Sequence, residues 1–161
     1  MSPMSAEFPD SSGLPRLDLF ELLIADDDPD DRFMILRALG RCRETLAVHA
    51  VRDGIEVMEQ LQALRAAGLP LPRLLLLDLN MPRMDGREVL AALKADAGLR
   101  ALPVVVLSTS VEAEDLKRAY ADGATSFISK PDGFAQLVTT MRTLVDHWFD
   151  ASRGPSARAG R

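Results

Sequence analysis

Several short segments of this chain are almost wholly apolar and stop abruptly at a polar or turn residue. L-L-I-A runs into Asp26, L-L-L-L lies between Arg73 and Asp78, and V-V-V-L follows Pro103. Runs of this length without polar alternation suit strands covered on both faces, as in a parallel sheet. The pattern predicts strands over Leu19–Ala25, Leu46–Val51, Arg73–Asp78, Pro103–Leu107 and Thr125–Ile128. Between and after them lie longer amphipathic segments, which predict helices over Pro29–Leu39, Gly54–Ala67, Gly86–Ala95, Glu112–Asp122 and Gly133–Phe149. Strands alternating with helices specify an α/β fold: a doubly wound, five-stranded parallel sheet with five helices. Right-handed crossovers then place helices on both faces.

At 161 residues the chain has the length of one domain. Residues 1–16, rich in Ser, Pro and Gly, read as a flexible lead, 17–149 as the folded domain, and 150–161 as a disordered, weakly basic tail. A net charge of −5 argues against non-specific nucleic-acid binding, which needs a cationic surface. The one cysteine, Cys42, excludes an intramolecular disulfide and fits a reducing compartment. The N-terminal segment lacks the form of a secretory signal, and no apolar run is long enough to span a bilayer. The expectation is a soluble, cytoplasmic protein without membrane contact.

In doubly wound sheets chemistry gathers beyond the carboxyl ends of the strands. Asp26 and Asp27 follow the first predicted strand, Asp78 the third, Ser108 the fourth and Lys130 the fifth. The acidic run A-D-D-D-P-D-D therefore divides. Asp28 before Pro29 reads as a helix cap, and Asp30 and Asp31 fall in a first turn, where the helix dipole favours carboxylates. Asp26 and Asp27 lack that explanation. A hydrated acidic loop is the bland account, and Asp78 on a neighbouring strand tips the balance toward a hard-oxygen metal site. Mg2+ suits such a site, because it binds through one or two carboxylates and keeps room for a phosphate. An aspartate can also act as a nucleophile toward phosphorus. Lys130 would then supply a second cation and Ser108 a hydroxyl donor to the transferred group.

The segments L-L-I-A-D-D-D, L-L-L-L-D-L-N-M-P-R-M-D-G, P-V-V-V-L-S-T-S and A-T-S-F-I-S-K-P resemble the response-regulator receiver family of two-component signalling, over about Leu17 to Phe149. The resemblance implies that Asp78 is the phospho-acceptor, Asp27 a direct metal ligand, and Asp26 an acid that reaches the metal through water. It implies a metal contact from the Asn80 backbone carbonyl, and roles for Ser108 as the conserved-type hydroxyl and Lys130 as the conserved-type lysine. It also implies a cis bond before Pro131. Phe127 stands where the family carries its switch aromatic, often Tyr; plain core packing explains it as well. Asn80 and Ser110 are the positions expected to tune phosphoryl lifetime.

The implied function is that of a single-domain, non-enzymatic response regulator. It would accept a phosphoryl group from a sensor histidine kinase and signal through protein contacts or a phosphorelay. The ending K-P-D-G-F-A-Q-L-V-T-T-M-R-T-L-V-D-H-W-F is similar to stand-alone receivers paired with bacterial phytochrome kinases, in which an aromatic pair closes a dimerising helix. About seventeen residues of helix span roughly 25 Å, against roughly 17 Å for a five-residue strand, so Trp148 and Phe149 are expected to overhang the sheet as a homodimer interface. Phe33 and Leu36 lie off the core stripe of the first helix and are expected to dock a kinase. A metal-assisted phosphatase with Asp78 as nucleophile is the alternative. It ranks lower because Asn80 occupies the place where an acid would be useful. A phosphorylation-incompetent scaffold is disfavoured by the complete set of acids, hydroxyl and lysine.

Overall fold

The computed structural model describes residues 20–42, 45–109 and 113–149. The strands are β1 (Leu22–Ala25), β2 (Val48–Val51), β3 (Leu74–Leu77), β4 (Val104–Ser108) and β5 (Ser126–Ser129). The helices are α1 (Pro29–Cys42), α2 (Gly54–Ala66), α3 (Gly86–Ala95), α4 (Ala113–Ala121) and α5 (Phe134–Phe149). All pairings are parallel, in the order β2-β1-β3-β4-β5, with Leu22 opposite both Val48 and Leu74. The expected lead and tail, Ser110, and the expected beginnings of the first strand and of the fourth helix lie outside the described residues.

The three central strands are buried along their whole length, and the pleat sends alternate residues to two cores. Leu23, Ala25, Leu75, Leu77, Val104 and Val106 pack with Val57 and Leu61 of α2 and Val89, Leu90 and Leu93 of α3. Leu22, Ile24, Leu74, Leu76, Val105 and Leu107 pack with Ile35, Ala38 and Leu39 of α1 and Leu137, Met141, Leu144 and Val145 of α5. Full burial of each Leu or Val stabilises by about 1.5–3 kcal/mol. This explains why apolar runs could replace the alternating pattern of a half-exposed sheet. The edge strands β2 and β5 are only half-buried over most of their length.

Three expectations are corrected. Helix α1 continues past Leu39 to Cys42, because Gly40 keeps a negative φ and so does not terminate it. Phe149 does not overhang the sheet. It is 1% exposed in the α1/α5 core, and the guanidinium of Arg73, just before β3, lies 5.3 Å from its ring centre. The segments leading into the strands lengthen the floor beneath α5, which a comparison of helix and strand lengths omits. Leu36 is not off the core stripe either, since it packs partly buried against the same core. Trp148 is half-buried, and only Phe33, at 58%, stands clear of α1. No described helix is long and apolar enough to cross a membrane.

Candidate functional site

The switch point of the sheet lies between β1 and β3, where the chain leaves in opposite directions and opens a crevice at the strand ends. Asp26 follows β1 and its amide donates to Val51 O at 3.1 Å; Asp78 follows β3 and its amide donates to Ala25 O at 2.9 Å. The sheet's hydrogen bonding thus continues into both acids and fixes their backbones. Ligand oxygens of Asp26, Asp27 and Asp78 lie within 4.8 Å of one another. Asp26 and Asp78 are buried and Asp27 is exposed, so the cluster forms a pocket with an open mouth.

Lys130, one residue past β5, enters this pocket. Its Nζ stands 2.8 Å from Asp26 Oδ2, 2.9 Å from Asp31 Oδ2 and 3.4 Å from Asp78 Oδ2. Its amide donates to Ser108 O at 2.9 Å, which ties the end of β5 to the end of β4. Ser108 itself is fully buried. Burial pushes the Asp78 carboxyl up to about 6; Lys130 opposes the rise and the neighbouring Asp26 adds to it. Asp26 is raised as well, again by burial, with Lys130 and the Asp28 amide offsetting part of it. Burial also works against the Lys130 ammonium, but the carboxylates outweigh it and raise its pKa.

The metal expectation can be tested on this donor set. The Lys130 ammonium and the Arg32 guanidinium, which donates to the Asp26 carbonyl at 2.7 Å, stand against four carboxylates in or beside the pocket, Asp26, Asp27, Asp31 and Asp78, which leaves an excess of negative charge on hard oxygens. A divalent cation fits that excess and that ligand type.

The sequence reading of Asp28 as a cap holds: its Oδ1 accepts from the amides of Asp30 at 2.9 Å and Asp31 at 3.4 Å. Asp31 was assigned only to the helix dipole, and its ion pair with Lys130 was missed. Helical geometry places it one turn from the strand end, but nothing in the sequence links residues 31 and 130. Asn80 is exposed, and its amide donates to Asp78 Oδ1 at 3.3 Å. Phe127 is partly buried against the α2/α3 core. The Lys130–Pro131 bond is trans, against the expected cis form; the two forms of an X–Pro bond differ by only about 1 kcal/mol, so sequence alone did not decide it.

A clamp around the β3–α3 loop was also missed. Arg83 carries a positive φ of 65°, and its Nε donates to Asp53 Oδ2 at 2.8 Å. Asp53 caps α2 by accepting from the Glu56 amide, and Gly54 N donates to Met84 O at 2.9 Å. Burial disfavours the Asp53 carboxylate, yet Arg83 and that amide hold its pKa below the usual range. Gly86 seats α3 directly on the Asp78–Leu79 backbone: a methyl there would collide with Asp78 O and lie 2.7 Å from Leu79 Cα. Asp85 and Glu88 close a capping box, a D-x-x-E signal that was present in the sequence.

A parallel 2-1-3-4-5 sheet with three acids and a lysine at its switch point defines a phosphoacceptor signalling module. Residues 22–142 match the response regulator receiver domain, and the chain belongs to that family. Its general mechanism is phosphorylation of an aspartate. Among relatives, FilR2 of Methanothrix harundinacea (strain 6Ac), described as a probable methanogenesis regulatory protein, is 38% identical over 86% of this chain and 89% of its own. Response regulator Rcp1 of Synechocystis sp. (strain ATCC 27184 / PCC 6803 / Kazusa) is 30% identical over 92% of this chain and 99% of its own. The structure of its Mn2+-bound form superposes with a TM-score of 0.72 at 30% identity, covering 81% of this chain and 94% of that one. RPA3017, a response regulator in red light signalling of R. palustris, gives a TM-score of 0.74 at 32% identity, covering 82% and 95%. The chain is thus similar to stand-alone phytochrome response regulators, and receivers of this kind partner with sensor histidine kinases and bind a divalent metal at their acidic pocket.

Proposed function

We propose that the chain receives a phosphoryl group on Asp78 from a sensor histidine kinase, with Mg2+ held by Asp27, Asp78, the Asn80 carbonyl and, through water, Asp26. The observation that carries this reading is the placement of Lys130 between Asp26 and Asp78 at 2.8 and 3.4 Å, inside a pocket with surplus negative charge. When bound, the ion would neutralise the acids and the charge of the incoming phosphoryl group. An Asp78 carboxylate oxygen forms the new P–O bond as the P–N bond to the donor imidazole breaks, and the imidazole leaves with the bonding pair and takes a proton. Lys130 provides the fixed cation beside the new phosphate, and the Ser108 hydroxyl donates to one of its oxygens. Phe127, half-buried beside β4, would follow Ser108 between two arrangements.

The output is contact rather than catalysis, in a cytoplasmic protein whose receiver spans 17–149, between a lead (1–16) and a tail (150–161). Exposed Phe33 is the α1 anchor for the kinase. A homodimer would form along the groove beside β5 lined by Ile128, Thr139, Thr143, His147 and Trp148. Likeness to Rcp1 and RPA3017 supports a bacterial phytochrome as the kinase, whereas FilR2 is named for another pathway.

Incubation with acetyl phosphate and Mg2+ is expected to add one phosphoryl mass, base-labile and absent in Asp78→Asn. A wild-type chain that stays unlabelled, or a variant that still labels, refutes the acceptor. Turnover of an unrelated phosphoester would instead favour the phosphatase alternative.

A further inference from the structure

The three hydrogens of the Lys130 ammonium face three carboxylates. Two of them, Asp26 and Asp78, belong to the group whose oxygens converge as a cation site, and Asp31 does not. A divalent ion therefore competes with the lysine for two of its partners and leaves the third untouched. Asp31 is also placed to hold the ammonium from outside. It sits in the first turn of α1 with its side chain 42% exposed, while the Lys130 side chain is only 13% exposed. The pair borders a small open pocket of about 40 Å³ whose other walls are Met34, Ile35, Leu107, Pro131 and Leu137. These apolar neighbours lower the local dielectric on one side of the ion pair and so strengthen it.

We propose that Asp31 is a positioning residue: through its 2.9 Å ion pair with Lys130 it keeps the ammonium at the mouth of the pocket, where the phosphoryl group arrives, once the metal has claimed the other acids. This role rests on Asp78 being the acceptor. It differs from a plain helix-dipole role, because Asp30 shares the first turn and makes no ion pair with Lys130.

The test compares labelling rates with acetyl phosphate at saturating Mg2+. Asp31→Ala is expected to label about three- to fivefold more slowly, the effect of losing one partly exposed ion pair. Asp31→Asn should recover part of the rate, because its amide oxygen still accepts from the ammonium. Asp30→Ala should label at the wild-type rate. In a Lys130→Ala background, followed over hours, Asp31→Ala should add nothing. An Asp31→Ala chain that labels as fast as wild type or faster overturns the role, as does equal slowing in the Lys130→Ala background or in Asp30→Ala. A wild-type chain that takes no label at all overturns the reading of Asp78, and this role with it.

Discussion

The two sides of the switch point are built differently. On the β1–β3 side, the loop that follows Asp78 is held at three places: Arg83 to Asp53 at 2.8 Å, Gly54 N to Met84 O at 2.9 Å, and Gly86 against the Asp78 carbonyl. On the α4–β5 side, among the described residues, β5 is tied to β4 by Thr125 and Lys130, while α4 is held by Lys94 Nζ on Ala121 O at 3.1 Å and is little buried. Ala119 is the buried residue of α4 among its described side chains, while Leu116 and Tyr120 are 38% and 47% exposed, and β5 is a half-buried edge. Few buried contacts and an open edge are the marks of an element that moves at low cost. The loop after Asp78 is clamped, and α4 beside it is the less buried element. A receiver needs that division, because a pocket that deformed under phosphorylation would spend the signal locally.

Gly86 offers the hardest test of the fixed side. An alanine methyl would strike backbone, the Asp78 carbonyl and Leu79 Cα, neither of which can rotate away. Gly86→Ala is expected to lower stability by about 3 kcal/mol, and to weaken divalent-ion binding more than tenfold by displacing Asp78. Gly40 in α1 is the control, since a methyl there meets nothing within 4 Å; Gly40→Ala should raise stability by about 0.5–1 kcal/mol. Urea unfolding and titration calorimetry with Mg2+ read both. Equal behaviour of the two variants would dissolve the contrast between a clamped loop and an open helix face.

A smaller effect separates the charge of the pocket from its shape. The Asp78 carboxyl rises from 3.8 to about 6 on folding, through burial first. A raised carboxyl pKa favours the protonated folded state. Its stabilising contribution is complete below about pH 4 and lost as pH rises through about 6. In metal-free buffer, Asp78→Asn should therefore be more stable than wild type by about 2 to 3 kcal/mol at pH 8, with the difference closing near pH 4. Denaturant melts in EDTA at the two pH values check this. A variant less stable than wild type at pH 8 would mean that the Lys130 ion pair outweighs the burial of the carboxylate.

What could be read from the sequence followed from how local each signal was. L-L-L-L and V-V-V-L marked β3 and β4 to within a residue or so, because burial on both faces demands unbroken apolar runs. Asp28-Pro29 marked the start of α1, since caps are local. The strand-end rule collected the pocket acids, the resemblance to receivers implied their roles, and the sheet order brings them together. The missed features join residues beyond one turn or cap of each other in the chain: Asp31 with Lys130, Asp53 with Arg83, and Gly86 packed on Asp78. Each partner has a sufficient local explanation, as dipole acid, helix cap or turn residue, so nothing in the pattern called for a second role. Phe149 failed for the opposite reason. Its place in the α5 stripe was read correctly, but the floor beneath it is formed by segments before the strands, which periodicity does not register.

Trp148 and Phe149 bring the comparison to neighbouring residues of one helix. Phe149 is locked in the α1/α5 core, whereas Trp148 lines the open groove beside β5 with His147 edge-on to its ring at 5.0 Å. A half-buried indole at the loose edge contributes less to folding than a buried ring, so Trp148→Ala should cost only about 1 kcal/mol in monomer stability. If the groove is where two copies meet, the same substitution should convert a dimer into a monomer in size-exclusion chromatography with light scattering, with one-phosphoryl labelling of Asp78 unchanged. Large aromatic side chains dominate such contacts, so the loss should be nearly complete at micromolar concentration. A wild-type chain that runs as a monomer at high concentration, phosphorylated or not, would remove the dimer. The groove would then be left to a different partner.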